Sequence, residues 1–219
     1  MSEHQSTRKT DRRTLYTRQV IKDALLELLP SCPYEKLNVT MVCRQAEITR
    51  ATFYLHYADL NEVLDELINA AIEIAESSVY IQDYATRNAL LQQLLAQGGP
   101  KALVGNEKYL APCQRVADHP KYRPLFMDDS LAYYIIRKIY LAERDSCLPV
   151  LAKRCGVSLE DADRMFMFYI YGFYFVNRSM KWEKNEDWYR MQYILNQSLE
   201  VGLNGMHTLP EEYRQKAKK

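Results

Sequence analysis

The stretch Asn38-Val-Thr-Met-Val-Cys-Arg-Gln-Ala-Glu-Ile-Thr-Arg-Ala-Thr-Phe-Tyr-Leu-His-Tyr57 decides how this chain is read. Asn38 suits the N-cap of a short helix reaching Ala46, because its side chain can accept from an early backbone N–H. Thr49 suits the N-cap of a second short helix over Arg50–Tyr57. Three residues, Glu47-Ile48-Thr49, separate the two, which is the layout of a helix-turn-helix. Phe53 and Tyr57 stand four apart and share a face, where Val42, Ala46 and Ile48 complete a small core. The opposite face offers Arg50, Ala51, Thr52, Leu55 and His56. Side chains near a helix N-terminus can reach base edges in a major groove about 12 Å wide. There Arg50 can donate two hydrogen bonds to a guanine, while Ala51 and the Thr52 methyl can touch a thymine methyl. By spacing alone the same pattern also describes a plain corner between two helices.

Glycine and proline punctuate the sequence on either side. No glycine precedes Gly98, and no proline occurs from Tyr34 to Gly99 or from Val150 to Leu209. Proline lacks the backbone N–H and clashes with the preceding turn, so helices are expected at both ends and shorter ones in the middle. The first should run from about Asp11 to Leu29, with Leu15, Val20, Ala24, Leu25 and Leu28 at three- and four-residue steps. Pro30 and Pro33 stop it. Asp59 caps a longer helix carrying the stripe Val63, Leu64, Leu67, Ile68, Ala71 and Ile72. Further helices are expected over Thr86–Gln97, Asn106–His119 and Asp128–Leu148. Ser158-Leu-Glu-Asp161 resembles a capping box and opens a helix to about Lys184. Glu186 or Asp187 opens the last one, ending near Gly202 and Gly205, before a basic tail, Tyr213–Lys219, expected to fray. Strand-like alternation is hard to find, so the fold class is all-α.

Composition narrows the function classes. The charges nearly cancel, with 29 basic and 28 acidic residues, so global charge says nothing about nucleic acid. Residues 1–18 differ: Arg8, Lys9, Arg12, Arg13 and Arg18 outnumber Glu3 and Asp11. A basic arm of this kind can follow a phosphate backbone, or be a plain solvated terminus. Five scattered cysteines (Cys32, Cys43, Cys113, Cys147, Cys155) without CxxC spacing argue for reduced thiols in a cytoplasmic protein. The longest apolar run, Met165–Val176, is far short of the roughly 20 residues a membrane span needs, so the protein is expected to be soluble. His4, His56, His119 and His207 are too scattered for a zinc motif, and no nucleophile elbow or phosphate-binding glycine loop is present. No enzymatic activity, metal or cofactor is therefore expected.

From Asp11 to Ile68 the chain resembles the TetR family of transcriptional regulators, most closely at Thr52-Phe-Tyr-Leu-His-Tyr57. The resemblance implies that Tyr54 and His56 contact phosphates, that Arg50, Ala51, Thr52 and Leu55 face the groove, and that Thr40 and Arg44 make backbone contacts from the supporting helix. Thr49 belongs to the same set as the cap of the groove helix, and Arg12, Arg13 and Arg18 would be arm contacts. Two positions depart from the family pattern. Glu47 stands where glycine is frequent, and a non-glycine residue at positive φ costs on the order of 1 kcal/mol. Leu60 stands where a phosphate-binding lysine is frequent, which leaves only backbone N–H groups for that contact. The implied organisation is a helix-turn-helix DNA-binding domain with its basic arm over residues 1–60, and a helical effector-binding and dimerisation domain over 61–219.

The second half is rich in aromatic residues. A helix through Met165–Val176 is apolar almost all round, so it should be buried on more than one side. One face could meet the domain interior and the other a partner subunit, with Gly172 allowing close approach beside Phe175. Trp188, Met191, Leu195, Ser198 and Gly202 lie at three- and four-residue steps on the final helix. Two such helices from each subunit would form a four-helix homodimer interface, as the resemblance also implies; a single chain's own core is the other reading. Tyr109, Phe126, Tyr133, Arg137, Phe168 and Tyr169 are candidates for an effector pocket, or for plain core. A dimer would place two recognition helices on a palindromic double-stranded DNA operator, about 34–36 Å apart. The main expectation is a repressor released by a small apolar or aromatic effector. The alternative is an activator, or a DNA-bound partner of another protein, without such an effector.

Overall fold

The computed structural model describes residues 3–77, 84–210 and 212, with side chains from Arg12 onward except those of Glu76 and Ser77. The side chains of Arg8 and Lys9 and the tail Tyr213–Lys219 lie outside the described residues. The fold is all-α, with no strand among the described residues. Two compact units divide the chain: residues 1–71 with 119–133, and residues 72–118 with 134–219. The division falls inside the helix that begins at Leu60, eleven residues past the boundary read from the sequence, and a mid-chain segment joins the first unit.

In the first unit, α1 (Glu3–Leu28) packs on α2 (Val39–Gln45), which packs on α3 (Arg50–Tyr54). α4 (Leu60–Ser77) follows, and α7 (Arg123–Met127) comes from the mid-chain segment. α1 starts well before Asp11, because nothing between Glu3 and Asp11 breaks a helix. Its buried face is Ile21, Ala24 and Leu25, whereas Leu15, read as part of the apolar stripe, is exposed. Val42, Ala46, Phe53 and Tyr57 are buried as their spacing predicts. The mid-chain segment is tied in by polar contacts. The Tyr34 backbone N–H donates to Asp128 Oδ2 at 2.7 Å, and Lys121 pairs with Asp23 at 2.9 Å.

In the second unit lie α5 (Tyr84–Gly98), α6 (Pro112–Arg115), α8 (Ala132–Cys155) from Tyr134 onward, α9 (Leu159–Ser179) and α10 (Glu186–Gly205). The helix expected over Asn106–His119 is instead a 3-10 turn at Glu107–Tyr109, α6, and a second 3-10 turn at Val116–Asp118. Pro112 explains the break: it holds Ala111 extended, at φ −62° and ψ 150°, and serves as the first residue of α6. Pro149 has the opposite outcome, for α8 continues through it to Cys155. A proline inside a helix costs about 3 kcal/mol. Leu148, Leu151 and Cys155 pack in one buried cluster with Ala162 and Leu203, and burying a leucine contributes roughly 1.5–3 kcal/mol, enough to offset the break. α9 stops at Ser179 rather than near Lys184, because Lys181 and Trp182 turn into left-handed conformations, with φ of 53° and 48°. The Trp182 N–H then returns to the Asn177 carbonyl at 3.0 Å, which satisfies the helix end.

A buried polar network fixes three of these helices together. Gln114 donates to Gln192 Oε1 at 2.7 Å, Gln192 donates to Asn177 Oδ1 at 3.0 Å, and the Trp188 indole N–H donates to the same oxygen at 2.8 Å. Each of these side chains is essentially inaccessible to solvent. Trp188 also packs with Leu91, Leu95, Leu103 and Leu110.

Candidate nucleic-acid interface

α2 ends through a turn that glycine would usually occupy. The Ile48 N–H bonds back to the Cys43 carbonyl at 3.0 Å and the Glu47 N–H to the Arg44 carbonyl at 3.2 Å. This double closure requires a left-handed residue, and Glu47 supplies it at φ 53°. The turn therefore forms without glycine and carries the strain expected from its sequence, about 1 kcal/mol. Asn38 caps α2 by accepting from the Met41 N–H, and Thr49 caps α3 by accepting from the Thr52 N–H at 3.0 Å. The Thr49 and Thr52 hydroxyls also pair at 2.9 Å, which fixes the first turn of α3.

Phe53 is fully buried beneath α3, with its ring centroid 6.0 Å from that of Tyr57. The other face of α3 is open. Arg50 and Ala51 are exposed, Tyr54 is half exposed, Leu55 is 81% exposed, and Thr52 and His56 are partly covered. Thr40 and Arg44 on α2 and Thr49 in the turn are exposed as well. Arg50 lies over the Tyr54 ring, 5.8 Å from its centroid, and donates to the Tyr54 hydroxyl at 3.4 Å. That hydrogen bond raises the Arg50 pKa further above its ordinary value. The open face thus presents a fork of N–H donors, a phenol, a hydroxyl and two apolar contacts within about two helical turns.

At the Leu60 end of α4, Asp59 Oδ1 accepts from the Asn61 and Glu62 N–H groups at 2.7 and 3.1 Å. These amides are satisfied within the chain, so the backbone donors left by the Leu60 departure already have an acceptor.

A cluster the sequence did not announce holds α3 in place. Arg18 of α1 donates to the His56 carbonyl at 3.1 Å and to Glu66 of α4. Tyr57 donates to the other Glu66 oxygen at 2.7 Å, and Arg18 lies 4.4 Å from the Tyr57 ring centroid. Burial alone would push the Glu66 carboxyl up, but the hydrogen bonds from Tyr57 and Arg18 and the Arg18 and Lys22 charges hold it below its ordinary value. Burial and the bond to Glu66 push the Tyr57 hydroxyl up, which keeps it a donor. Arg18 was read as an arm contact; it is engaged inside the first unit instead. Arg12 and Arg13 are exposed.

The effector candidates fall in both units. In the first unit Phe126 is fully buried core and Tyr133 is exposed. In the second unit Tyr109 packs against the Leu91–Trp188 cluster, Arg137 and Phe168 are exposed, and only Tyr169 of the six lines the cavity between α5, α6, α8, α9 and α10. That cavity also holds a buried Arg87–Glu143 ion pair, with partners 56 residues apart.

The dimerisation candidates divide differently. Met167, Phe168, Gly172 and Phe175 form an uncovered face of α9, with Phe168 74% exposed. Met191 and Leu195 are partly covered on α10 and Ser198 is exposed, near Ile194 and Val201, which are also exposed. In a single chain α9 is therefore buried on one side, through Ile170, Phe173, Tyr174 and Asn177, and open on the other. Trp188 is the exception on α10: it is fully buried, because its indole N–H finds its acceptor on Asn177.

All five cysteines are free thiols. Among the described residues no helix is long and apolar enough to cross a membrane, and no group of acidic, histidine or cysteine side chains is placed to hold a metal ion.

Over 67 residues the chain is 34% identical to an uncharacterized HTH-type transcriptional regulator, YxbF, of Bacillus subtilis (strain 168). The match covers 30% of this chain and 18% of that protein. No family model matches the chain, and no solved structure matches it.

Proposed function

We propose that the chain is a sequence-specific DNA-binding transcriptional regulator that reads DNA with α3. The observation that carries this reading is the open, side-chain-rich face of a short helix, capped by Thr49 and backed by buried Phe53. The likeness to an HTH-type regulator supports it. α3 enters the major groove with Arg50, Ala51, Thr52 and Leu55 toward base edges. Tyr54, His56, Thr40 and Arg44 meet flanking phosphates.

The finer reading follows the TetR-like sequence pattern. A five-residue helix contacts few base pairs, so specific binding needs a second copy across a two-fold axis. The uncovered apolar face of α9 and α10 supports a homodimer in which four helices pack. In this reading the protein is a cytoplasmic repressor, and a small molecule in the second unit releases it by binding more tightly to a dimer mis-spaced for a palindromic operator. Selection of binding sites from a random DNA pool, followed by mobility shift with the selected sequence, tests it. Enrichment of a palindrome whose binding is weakened in Arg50→Ala is the expected result. Binding that Arg50→Ala leaves unchanged refutes the placement of α3.

A further inference from the structure

The second unit contains a cavity of about 60 Å³ with mostly apolar walls, among them Leu151, Phe166, Ile170 and Phe173. Arg87 and Glu143 also line it, and each is only 8% exposed. They meet through one contact, Arg87 Nη2 to Glu143 Oε2 at 3.3 Å. Among the described residues neither side chain makes another hydrogen bond. Their remaining polar atoms are not sealed off, and the hollow is what they border. A guanidinium has five N–H donors and a carboxylate about four acceptor positions. Arg87 also lies over the Tyr84 ring, 5.9 Å from its centroid, and the rest of the pair's hydrogen-bonding capacity is open to a ligand or to water.

The chemistry that would complete this site follows from charge and size. The pair is net neutral, so a ligand bringing a net charge into apolar walls would meet a desolvation penalty without a matching counter-charge. A neutral head that both donates and accepts answers both partners at once. A cavity of this size suits a small head group of a few heavy atoms. A second hollow of about 330 Å³ lies beside the cavity, with Tyr84 and Leu151 in the walls of both. We propose that this cavity binds a small neutral molecule with a short aliphatic chain and a carboxamide-like head, its N–H donated to Glu143 and its carbonyl accepting from Arg87. The inference deepens the effector part of the proposed function. It is tested on the protein without DNA, so its failure leaves the reading of α3 untouched, and a failure of DNA binding leaves this site untouched.

The test is a methyl-NMR titration of the full chain with butyramide, and with butyrate and butylammonium as charged matches. Saturable shifts of the Ile170, Leu151 and Leu199 methyls, with exposed Ile194 unmoved, and tightest binding by butyramide are expected. In Glu143→Gln the site gains a net positive charge, and preference should pass from butyramide to butyrate by about tenfold or more. Should that variant not fold, Arg87→Met with Glu143→Leu removes both charges, an exchange that is often neutral for stability. Butyramide should then bind at least tenfold more weakly. No saturable shift in the wild-type protein overturns the proposal. So does tighter binding of either ion there, or an order of preference that the variants leave unchanged.

Discussion

Replacing Glu66 by alanine removes the acceptor that Arg18 of α1 and Tyr57, three residues beyond α3, share, and the structure fixes what this should cost. Tyr57 is 2% exposed and its hydroxyl donates to Glu66 at 2.7 Å. Leaving that hydroxyl buried without an acceptor costs about 1–3 kcal/mol. The Arg18 contact is weaker in effect, since both side chains are about a third exposed (33% and 36%); solvent screening reduces its share to roughly 0.5–1 kcal/mol. Glu66→Ala should therefore destabilise the protein by about 2–3 kcal/mol. Tyr57→Phe removes the donor and keeps the ion pair, so it should cost only about 1 kcal/mol. The two losses overlap. In the double variant a coupling of about 1–1.5 kcal/mol is expected. Urea unfolding followed by far-ultraviolet circular dichroism measures all four proteins; tryptophan fluorescence would not serve, because Trp182 and Trp188 both lie in the second unit. At a denaturant dependence of about 2 kcal/mol per molar, Glu66→Ala moves the midpoint by about 1 M. A coupling below about 0.3 kcal/mol would mean that Tyr57 and Glu66 do not act as a pair, and the account of how α3 is held would fail.

The same carboxyl gives a pH signature. Its folded pKa lies below the ordinary value of 4.5, so its stabilising share is complete above that value and is lost as pH falls through the folded one. The gap in urea midpoint between wild type and Glu66→Ala should hold from pH 7 to about 5 and narrow on further acidification; a gap that widens contradicts the assignment. Glu47→Gly should stabilise the protein by about 0.5–1 kcal/mol by relieving the left-handed turn, read as a higher Tm, and a lower Tm would show the turn to be unstrained. Tyr54→Phe removes the hydroxyl that Arg50 reaches and should weaken DNA binding uniformly across sequences, whereas Arg50→Ala should also relax the preference at one base pair; identical profiles in binding-site selection would argue against separate roles. Phe168→Glu should leave the fold within about 0.5 kcal/mol of wild type but shift sedimentation toward monomer, while Trp188→Phe should cost about 1–2 kcal/mol and leave association intact. A dimer that survives Phe168→Glu removes α9 from the interface.

What could be read from the sequence was what acts over short distances. Asn38, Thr49 and Ser158 each cap a helix by accepting from the N–H three residues ahead, and that spacing is visible in one line of text. The apolar backing of α3 was legible for the same reason. Arg18 was misread because its acceptor on Glu66 is 48 residues away, and a basic residue near a basic terminus looks solvated until its partner is placed. The Arg87–Glu143 pair left no trace either, because neither residue interrupts a pattern. Trp188 fits a surface stripe by periodicity; Asn177 and Gln192, not spacing, turned it inward. Prolines show the limit most clearly. Pro112 and Pro149 carry the same local signal, yet packing around Leu151 and Cys155 overrides the second, and only the folded chain contains that packing.

The segment His119–Tyr133 has a practical consequence for anyone who treats the first seventy residues as a portable cassette. The Tyr34 N–H finds its acceptor on Asp128, Asp23 finds its counter-ion on Lys121, and Leu125 and Phe126 are fully buried, all in one compact unit. A chimera that joins residues 1–71 to a foreign sensor would cut away that wedge and open apolar surface beside α1. Transplanting the reader intact requires both pieces of the chain, so recombination can exchange the sensor only by threading a new one around residues 119–133.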